Sequence, residues 1–536
     1  MIVSKMSWRP PYRSSKFRHV YGKAATKDHG FDGVPITDSV HDNHYCSVNP
    51  CFIAIVTESS GGGSFLVLSI HHTGRLDPHH PRVCGHSASV LDVKWNPFDD
   101  HCIASCSEDC TVKLWDIPVC GVQKNMTQPR KVLQAHTRRV NLIEWHPTAR
   151  DILLSSAYDY KVMVWDVSAC CPVLRSPVIV ISVHSELVLS MSFNTNGSCL
   201  ATSSLDKRVR VIDPRTGHLL QVSSGKLHKA NKVVFLDHNM LLSTGCSPWN
   251  QRQIVLWDAD DLCEPLVEEE LDEAAGVLFP FYDPDTRMLY LAGKGDGNIR
   301  YYDISCEKPH VQFLNEYRSH LPQRGLGVMP KRGLDVSSCE VFRFYRLLAI
   351  KDLVEPLSMI VPRRSPEIFQ EDIFPMTVGN KAAMTAQQWL SGINRGPLLI
   401  SLKPRVANPY PEVPPRREIR NLHFHTGPPG GTDPNSEQAF LQEQLAYQDA
   451  KYPKQSADLS GWQEDETHAP GWSYVPHCPE PSESPPPRIE SELLQVFYRQ
   501  QDEITGLREQ LNHSEVRITQ LEQEIKNTRN NMRNTF

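Results

Sequence analysis

Histidine, aspartate and serine recur in this sequence in an arrangement that could support nucleophilic catalysis. In a catalytic triad, a histidine takes the proton of a serine hydroxyl and an aspartate orients the histidine. Here an aspartate follows the histidine after 23 residues, and a tryptophan follows the aspartate after 6. Two copies share these spacings, and they are His86, Asp109 and Trp115, and His136, Asp159 and Trp165. An enzyme needs one such site rather than several, so we predict a structural role, no catalytic residue and no enzyme.

That structural role is a buried chain of hydrogen bonds. A serine of the neighbouring strand would join the histidine to the tryptophan indole, and the candidates are Ser105 or Ser107 in one copy and Ser155 or Ser156 in the other. Buried polar groups must be paired, and a complete set of pairs makes a sheet rigid.

Two further copies of the pattern are incomplete. His184 and Asp206 are 22 residues apart, and no tryptophan follows them. His228 and Trp257 keep the full 29-residue span, but Gln251 stands where the aspartate belongs. We expect both copies to lack part of the hydrogen-bonded chain and to be less rigid.

The elements that carry these residues are short strands. The unit recurs every 40–50 residues between about 80 and 305, with a weak fifth copy near 295–303, and this is the period of WD repeats. Residues 90–95 and 140–145 alternate between apolar and polar types, and each run is followed by a turn that contains proline. Three short strands per unit indicate a blade of a β-propeller. The flanks at 44–70 and 325–361 hold enough strand for two more blades, and pairing of the first and last strands would remove exposed edges.

Composition excludes several classes of function. The net charge is −6 and the pI about 6.4, so we expect no nucleic-acid partner. The chain has no run of 18 apolar residues and no signal peptide at its start, so we expect no membrane span and a cytoplasmic location. The 15 cysteines lack zinc-ligand spacing, and the pairs His71-His72 and His79-His80 lie in a polar stretch. We therefore expect no metal and no cofactor.

Several strings of residues resemble the coronin family over residues 7–402. The N-terminal string is SSKFRHVYG at 14–22, and VCGH follows at 83–86. Further strings are LFPFYDPD at 278–285, GKGD at 293–296, MPKRGLDV at 329–336, VPRR at 361–364 and QED at 370–372. Residues 6–12 and 34–37 are most similar to the type II branch of that family.

The resemblance implies an all-β fold, a seven-bladed WD-repeat β-propeller at 7–350 with a C-terminal extension at 351–402 packed on it. It also implies binding to filamentous actin, organisation of cortical actin and a place in the actin cytoskeleton, with a role in cell migration and with other cytoskeletal proteins as possible partners. Some type II members are linked to nuclear co-repressor assemblies. A propeller scaffold for such complexes, with little direct actin binding, is the alternative function.

One position departs from the family pattern. Type I coronins carry an arginine implicated in filament binding where this chain has Pro35, which has no charge. Binding would then depend on other basic residues near the start of the chain, and the candidates are Arg9, Arg13, Lys16 and Arg18. The acidic surface of actin suits such a cluster. Ordinary packing and solvation on the propeller rim explain the same residues equally well.

The last part of the chain has a different composition. Residues 403–488 contain 16 of the 41 prolines and predict a disordered, flexible linker. Residues 489–536 show heptads with an apolar seam, which predicts an α-helical coiled coil and a homo-oligomer. The residues assigned to the oligomer are Phe497, Ile504, Leu507, Leu511, Arg517, Ile518, Leu521, Glu522 and Ile525. The string RITQLE at 517–522 resembles the trimer-specifying motif of coronin coils, so a trimer is favoured over a dimer.

Overall fold

Seven mainly antiparallel sheets follow one another along the chain in the computed structural model. The structure describes residues 15–58, 63–225, 228–274, 276–365 and 368–404. The first strand of each sheet packs against the first strand of the next, so these strands form the inner wall of a ring. The fold is a seven-bladed β-propeller, as predicted. The linker beyond 404 and the coiled coil lie outside the described residues.

Each blade is built from strands that are hydrogen-bonded in chain order. Blade 1 contains Cys46–Val48, Phe52–Val56 and Phe65–Ser69, with Val83 bridged to its outer strand. Blade 2 contains Val90–Asn96, Asp99–Ser107, Val112–Asp116 and Lys131–Leu133, and Val173–Leu174 adds to its edge. Blade 3 contains Val140–Trp145, Ile152–Ala157, Val162–Asp166 and Ile179–Ile181.

The remaining blades follow the same plan. Blade 4 contains Val188–Phe193, Leu200–Ser204, Val209–Ile212 and Leu219–Val222. Blade 5 contains Lys229–Phe235, Met240–Cys246, Arg252–Asp258 and Val267–Asp272. Blade 6 contains Leu278–Asp283, Met288–Gly293, Ile299–Ile304 and Val311–Tyr317. Blade 7 begins with Gly325–Val328, Glu340–Leu348 and Leu353–Ile360.

The outer strand of blade 7 comes from the start of the chain. Tyr21–Ala24 pairs antiparallel with Leu353–Ile360, with Tyr21 opposite Ile360. Phe31–Asp32 pairs with the same strand and with Gly74–Arg75. This confirms the predicted closure of the ring. The predicted C-terminal boundary of the propeller changes as well. We expected the propeller to end at 350, but it includes the strand that ends at Ile360.

The extension after Ile360 crosses the loops that follow the inner strands. A two-stranded ribbon pairs Thr377–Val378 with Leu399–Ile400, and a short helix, Ala386–Leu390, lies between them. Thr385 caps that helix through its side chain. Trp389 is fully buried, with its ring 4.8 Å from the ring of His146 in the loop after the inner strand of blade 3.

The remaining short helical turns are Lys27–His29, Lys331–Gly333, Val336–Ser338 and Ala349–Lys351. None of the helices in the described part of the chain could span a membrane.

Blade 2 contains a complete chain of buried hydrogen bonds. His86 Nδ1 lies 2.8 Å from Asp109 Oδ2, and His86 Nε2 lies 2.7 Å from Ser105 Oγ. The indole of Trp115 donates to the same Ser105 oxygen at 2.9 Å. Burial alone would raise the pKa of Asp109, but the hydrogen bond and charge of His86 hold it well below its usual value.

Blade 3 repeats this chain. His136 Nδ1 lies 2.9 Å from Asp159 Oδ2, and His136 Nε2 lies 2.8 Å from Ser155 Oγ. Trp165 donates to that oxygen at 2.9 Å. Both central serines, Ser105 and Ser155, have no exposed surface. A substrate cannot reach a hydroxyl that is buried and shared by two side chains, so the geometry suits a structural role.

Blade 4 lacks this closed chain. His184 Nε2 lies 2.9 Å from Thr202 Oγ1, but its Nδ1 is buried with no hydrogen-bond partner. Asp206 is bound instead by the guanidinium of Arg210, at 3.1 and 2.5 Å. Burial lowers the pKa of His184 to about 4, so the ring is neutral at physiological pH.

Blade 5 keeps a closed chain through a residue that the repeat pattern missed. His228 Nε2 lies 2.9 Å from Ser243 Oγ, to which Trp257 donates at 2.8 Å. The amide of Gln253 donates to His228 Nδ1 at 2.7 Å. The prediction that Gln251 stands in the aspartate's place and leaves the chain broken is therefore wrong. Gln253 lies on the strand itself, where it faces the histidine.

Blade 7 contains a different buried group. Arg346 is fully buried, and its guanidinium donates to Glu355 at 2.8 Å and to Gln323 at 2.9 Å. It also donates to the carbonyl of Leu321 at 2.8 Å. These bonds join the middle strand of blade 7 to its neighbouring strand and to the loop that leads in from blade 6.

We expect Ser155→Ala to lower the free energy of unfolding by about 3 kcal/mol, because it leaves His136 and Trp165 buried without a partner. Ser156→Ala is the matched control. Ser156 is also fully buried, but its hydroxyl has no hydrogen-bond partner, so its loss should change stability by less than about 0.5 kcal/mol. Urea denaturation of the two variants measures both values, and equal losses would contradict the assignment.

We expect Arg346→Met to cost about 3–5 kcal/mol, since it leaves the carboxylate of Glu355 without its buried partner. Arg318→Met serves as control. Arg318 also binds a glutamate, Glu316, at 2.8 Å, but its side chain is 81% exposed, so its removal should cost less than about 1 kcal/mol. The unfolding midpoints of the two variants should therefore differ clearly, and similar midpoints would show that Arg346 does not brace the blade.

Candidate functional site

The described N-terminal residues place four cations on and beside the outer strand of blade 7. They are Lys16, Arg18, Lys23 and Lys27, and all four are exposed. We call them the basic edge. Two of the predicted actin contacts, Lys16 and Arg18, belong to it, while Arg9 and Arg13 lie outside the described residues. Lys23 and Lys27 were not among the predicted contacts, although they belong to the same basic run in the sequence.

Buried side chains fix the position of the basic edge. Phe17 and Val20 are buried in the core shared by blades 6 and 7. The hydroxyl of Tyr301 donates to the Val20 carbonyl at 2.7 Å. Gly22 faces blade 6 so closely that a Cβ there would lie 2.6 Å from the Tyr317 ring. Lys23, one residue along the strand, therefore points to solvent.

The charges of the basic edge are only partly neutralised. Lys16 Nζ lies 3.3 Å from the carbonyl of Asp372 and 4.0 Å from its carboxylate, and the Lys16 side chain is 60% exposed. Arg363 binds that carboxylate more closely, at 2.6 Å. Within the described residues, Lys23 and Lys27 have no carboxylate within ion-pair distance. The edge is therefore available to an acidic partner.

The surroundings of Pro35 are acidic, in contrast to the basic edge. The Pro35 carbonyl accepts a hydrogen bond from the amide of Glu58 at 3.2 Å. The Glu58 carboxylate in turn accepts from the amide of Asp38 at 3.1 Å. The side chain of Asp38 is 84% exposed, and the nearest cation to it is Arg324, at 3.7 Å. The surroundings of Pro35 therefore carry two acidic side chains, Asp38 and Glu58.

The string at 329–336 has a structural role that the sequence did not reveal. Lys331 Nζ lies 2.5 Å from the carboxylate of Asp283 in blade 6. Arg332 donates through Nη1 to Asp100 in blade 2 at 2.6 Å. One loop of blade 7 thus binds both blade 6 and blade 2. These two cations brace the ring, and their charges are already neutralised.

The other predicted residues divide into two groups. The ten blade residues are described, and those of blades 2, 3 and 5 take part in the hydrogen-bonded chains above, whereas His184 and Asp206 of blade 4 do not meet through a hydrogen bond. The nine residues assigned to the oligomer lie outside the described part of the chain. Among the residues that are described, no three His, Cys, Asp or Glu side chains are grouped as metal ligands.

Comparison with known proteins identifies the family. The model described as a domain of unknown function, DUF1899, matches residues 11–75, which include the basic edge. A WD domain, G-beta repeat model matches 80–116, 127–166 and 175–213, and a further type of WD40 repeat matches 354–397.

Curated relatives extend over the whole chain. Human coronin-2A is 55% identical, and the match covers 98% of this chain and 99% of that protein. Mouse coronin-2B is 53% identical, and the match covers 100% of both chains. The crystal structure of the WD40 domain from Toxoplasma gondii coronin has a TM-score of 0.67 at 26% identity and covers 72% of this chain and 98% of that domain. With these relatives and this propeller, the chain belongs to the coronin family, in the type II branch.

Proposed function

We propose that this coronin is an actin-filament-binding adaptor of the cytoplasmic cytoskeleton and that the basic edge contacts the filament. The observation that carries the proposal is the set of exposed cations on and beside the ring-closing strand, of which Lys23 and Lys27 have no carboxylate partner among the described residues. Filamentous actin presents an acidic surface, so such an edge attracts it and orients the encounter.

Self-association would strengthen a weak contact of this kind. The heptads at 489–536 predict an oligomer, and the resemblance of residues 517–522 to the trimer motif of coronin coils favours a trimer over a dimer. The proline-rich segment at 403–488 predicts a tether between each propeller and the coil. Several tethered propellers on one filament raise the apparent affinity by about 10²–10⁴. Propellers on neighbouring filaments would crosslink them, which is how the protein would organise actin in cell migration.

Co-sedimentation with filamentous actin tests the avidity part of the proposal. We expect the full-length chain to pellet with filaments, and a chain that ends at Pro487 to require at least a tenfold higher actin concentration, because it lacks the coil. A salt series should release both proteins, since the contact is ionic. If neither protein pellets even at low salt, actin is not the direct ligand. If both pellet equally, the coil does not act through avidity.

Charge reversal tests the surface itself. In the full-length chain, Lys16→Glu, Lys23→Glu and Lys27→Glu together should weaken filament binding at least tenfold and reduce its salt dependence. The matched control is the triple variant Lys124→Glu, Arg138→Glu and Lys161→Glu, which makes the same change in net charge at exposed positions of blades 2 and 3. Equal losses in both variants would show that only net charge matters. An unchanged affinity of the first variant would remove the basic edge from the interface.

A second candidate function is a propeller scaffold for other complexes, including nuclear co-repressor assemblies. The observation that favours it is the uncharged Pro35, with the acidic side chains of Asp38 and Glu58 beside it. WD propellers bind many kinds of protein, so the fold does not decide between the two functions. Retention of the full-length chain by co-repressor components, together with no pelleting on filaments, would favour the scaffold.

A further inference from the structure

The inner strands of all seven blades enclose a cavity of about 540 Å³ on the axis of the propeller. This volume lies within the range of about 300–1,000 Å³ that is typical of pockets for small molecules. The lining of the cavity changes along the axis of the propeller. Residues early in the inner strands line one end. Residues late in those strands, and the loops that follow them, line the other end. The two ends have different chemistry.

A buried lysine lies at the end that is lined by residues early in the inner strands. Lys232 is 6% exposed, and its ammonium donates to the Leu189 carbonyl at 2.7 Å. No carboxylate of the described residues lies within 4.0 Å of it. The other two lysines on the cavity wall are both paired, Lys94 with Glu144 at 3.1 Å and Lys331 with Asp283 at 2.5 Å. Burial lowers the pKa of Lys232 to about 8, as expected for a cation that has lost water without gaining an anion.

A second buried polar group, a ring nitrogen without a hydrogen-bond partner, lines the same end. His44 Nδ1 is buried and has no hydrogen-bond partner. Burial lowers the pKa of His44 well below its usual value, so the ring is neutral. Its ring packs 4.6 Å from the ring of Phe279 and 5.3 Å from that of Phe281. Buried polar atoms are nearly always paired. His44 Nδ1 differs from the unpaired atoms of Ser156 and His184 because its residue lines the same cavity as Lys232.

The opposite end of the cavity carries several apolar side chains. Its lining includes Trp145, Pro147, Phe193, Tyr282, Pro284 and Met329, from the ends of the inner strands and the loops that follow. The carboxylates on the wall, Glu144 and Asp283, are each held by a lysine. Asp92 lines a smaller pocket that shares His44 and Lys232 with the cavity, and Asp42 and Asp92 attract the Lys232 ammonium only from beyond ion-pair distance. The cavity therefore offers one unmatched cation, one unmatched ring nitrogen and an apolar wall.

We propose that the propeller cavity binds a small organic anion, whose acidic group contacts the ammonium of Lys232 and the ring of His44 and whose apolar body packs against the apolar side chains at the opposite end. An anion there would supply the partner that the buried ammonium lacks, which offsets the cost of burying a charge. A cation would be repelled by Lys232, and a neutral apolar molecule would leave both polar groups unsatisfied. This site is separate from the basic edge, and it does not depend on actin binding.

Fluorescence titration of the full-length protein with 1-anilinonaphthalene-8-sulfonate tests the site. This probe combines a sulfonate with an apolar body and fluoresces in apolar surroundings. We expect saturable binding to the wild type, at least tenfold weaker binding to Lys232→Met, and nearly normal binding to Lys232→Arg, which restores the cation. Lys161→Met, at an exposed position on blade 3, is the control for loss of a positive charge and should bind the probe as the wild type does.

Displacement separates an anion site from a merely apolar one. Octanoate should displace the probe from the wild type, and octylamine, which has a chain of similar length and the opposite charge, should not. Thermal unfolding of Lys232→Met shows whether the variant is folded. If a folded Lys232→Met binds the probe as tightly as the wild type, if octylamine displaces it as well as octanoate, or if the wild type does not bind it, the proposal is wrong.

Discussion

Closure of the ring is the constraint on which the rest of this structure depends. Blade 7 takes its inner three strands from 325–360 and its outer strand, Tyr21–Ala24, from the opposite end of the propeller sequence. This pairing joins both ends of the propeller sequence in one sheet, so the strand Leu353–Ile360 is covered rather than left as an edge. It also determines what is exposed, because the strand that closes the ring carries Lys23 on its solvent side and glycine, at position 22, on the side that faces blade 6. The stability of the fold and the display of the basic edge therefore have the same origin.

The blades are held together by two kinds of buried polar contact. Blades 2, 3 and 5 use a neutral chain that joins histidine, serine and tryptophan. Blade 7 uses the guanidinium of Arg346, and blades 5 and 6 share Arg252, which binds both Asp272 and Asp296. Either arrangement satisfies buried donors and acceptors, which is the requirement that matters. Blade 4 satisfies it least well, since His184 keeps an unpaired nitrogen.

These two kinds of contact explain how much of the fold and of the site the sequence could predict. The neutral chain needs fixed residue types at fixed spacing, so the histidine, aspartate and tryptophan of blades 2 and 3 were predicted, whereas the serine was left between two candidates in each blade. Gln253 was missed because it reaches the histidine from two positions further along the chain. The flank at 325–361 was predicted to supply strands, but the boundary of the propeller was placed at 350. The strand Leu353–Ile360 beyond it contains Pro356, a residue that weakens the signal of a strand. Two residues of the basic edge, Lys16 and Arg18, were predicted, and the other two were not. A sequence shows which residues are charged, but it does not show which other residue each charge pairs with.

Pairing of charges, rather than their number, separates structural cations from functional ones in this protein. The net charge is negative, so the whole molecule has no field that would attract an acidic partner. Arg332 and Arg346 are each held by a carboxylate, and each braces a blade. Lys232 lies on an inner strand, and closure of the ring places its ammonium beside a cavity, with no carboxylate of the described residues within ion-pair distance. Among the described cations of the basic edge and the cavity wall, Lys23, Lys27 and Lys232 have no carboxylate partner, so an acidic ligand would supply one at either place.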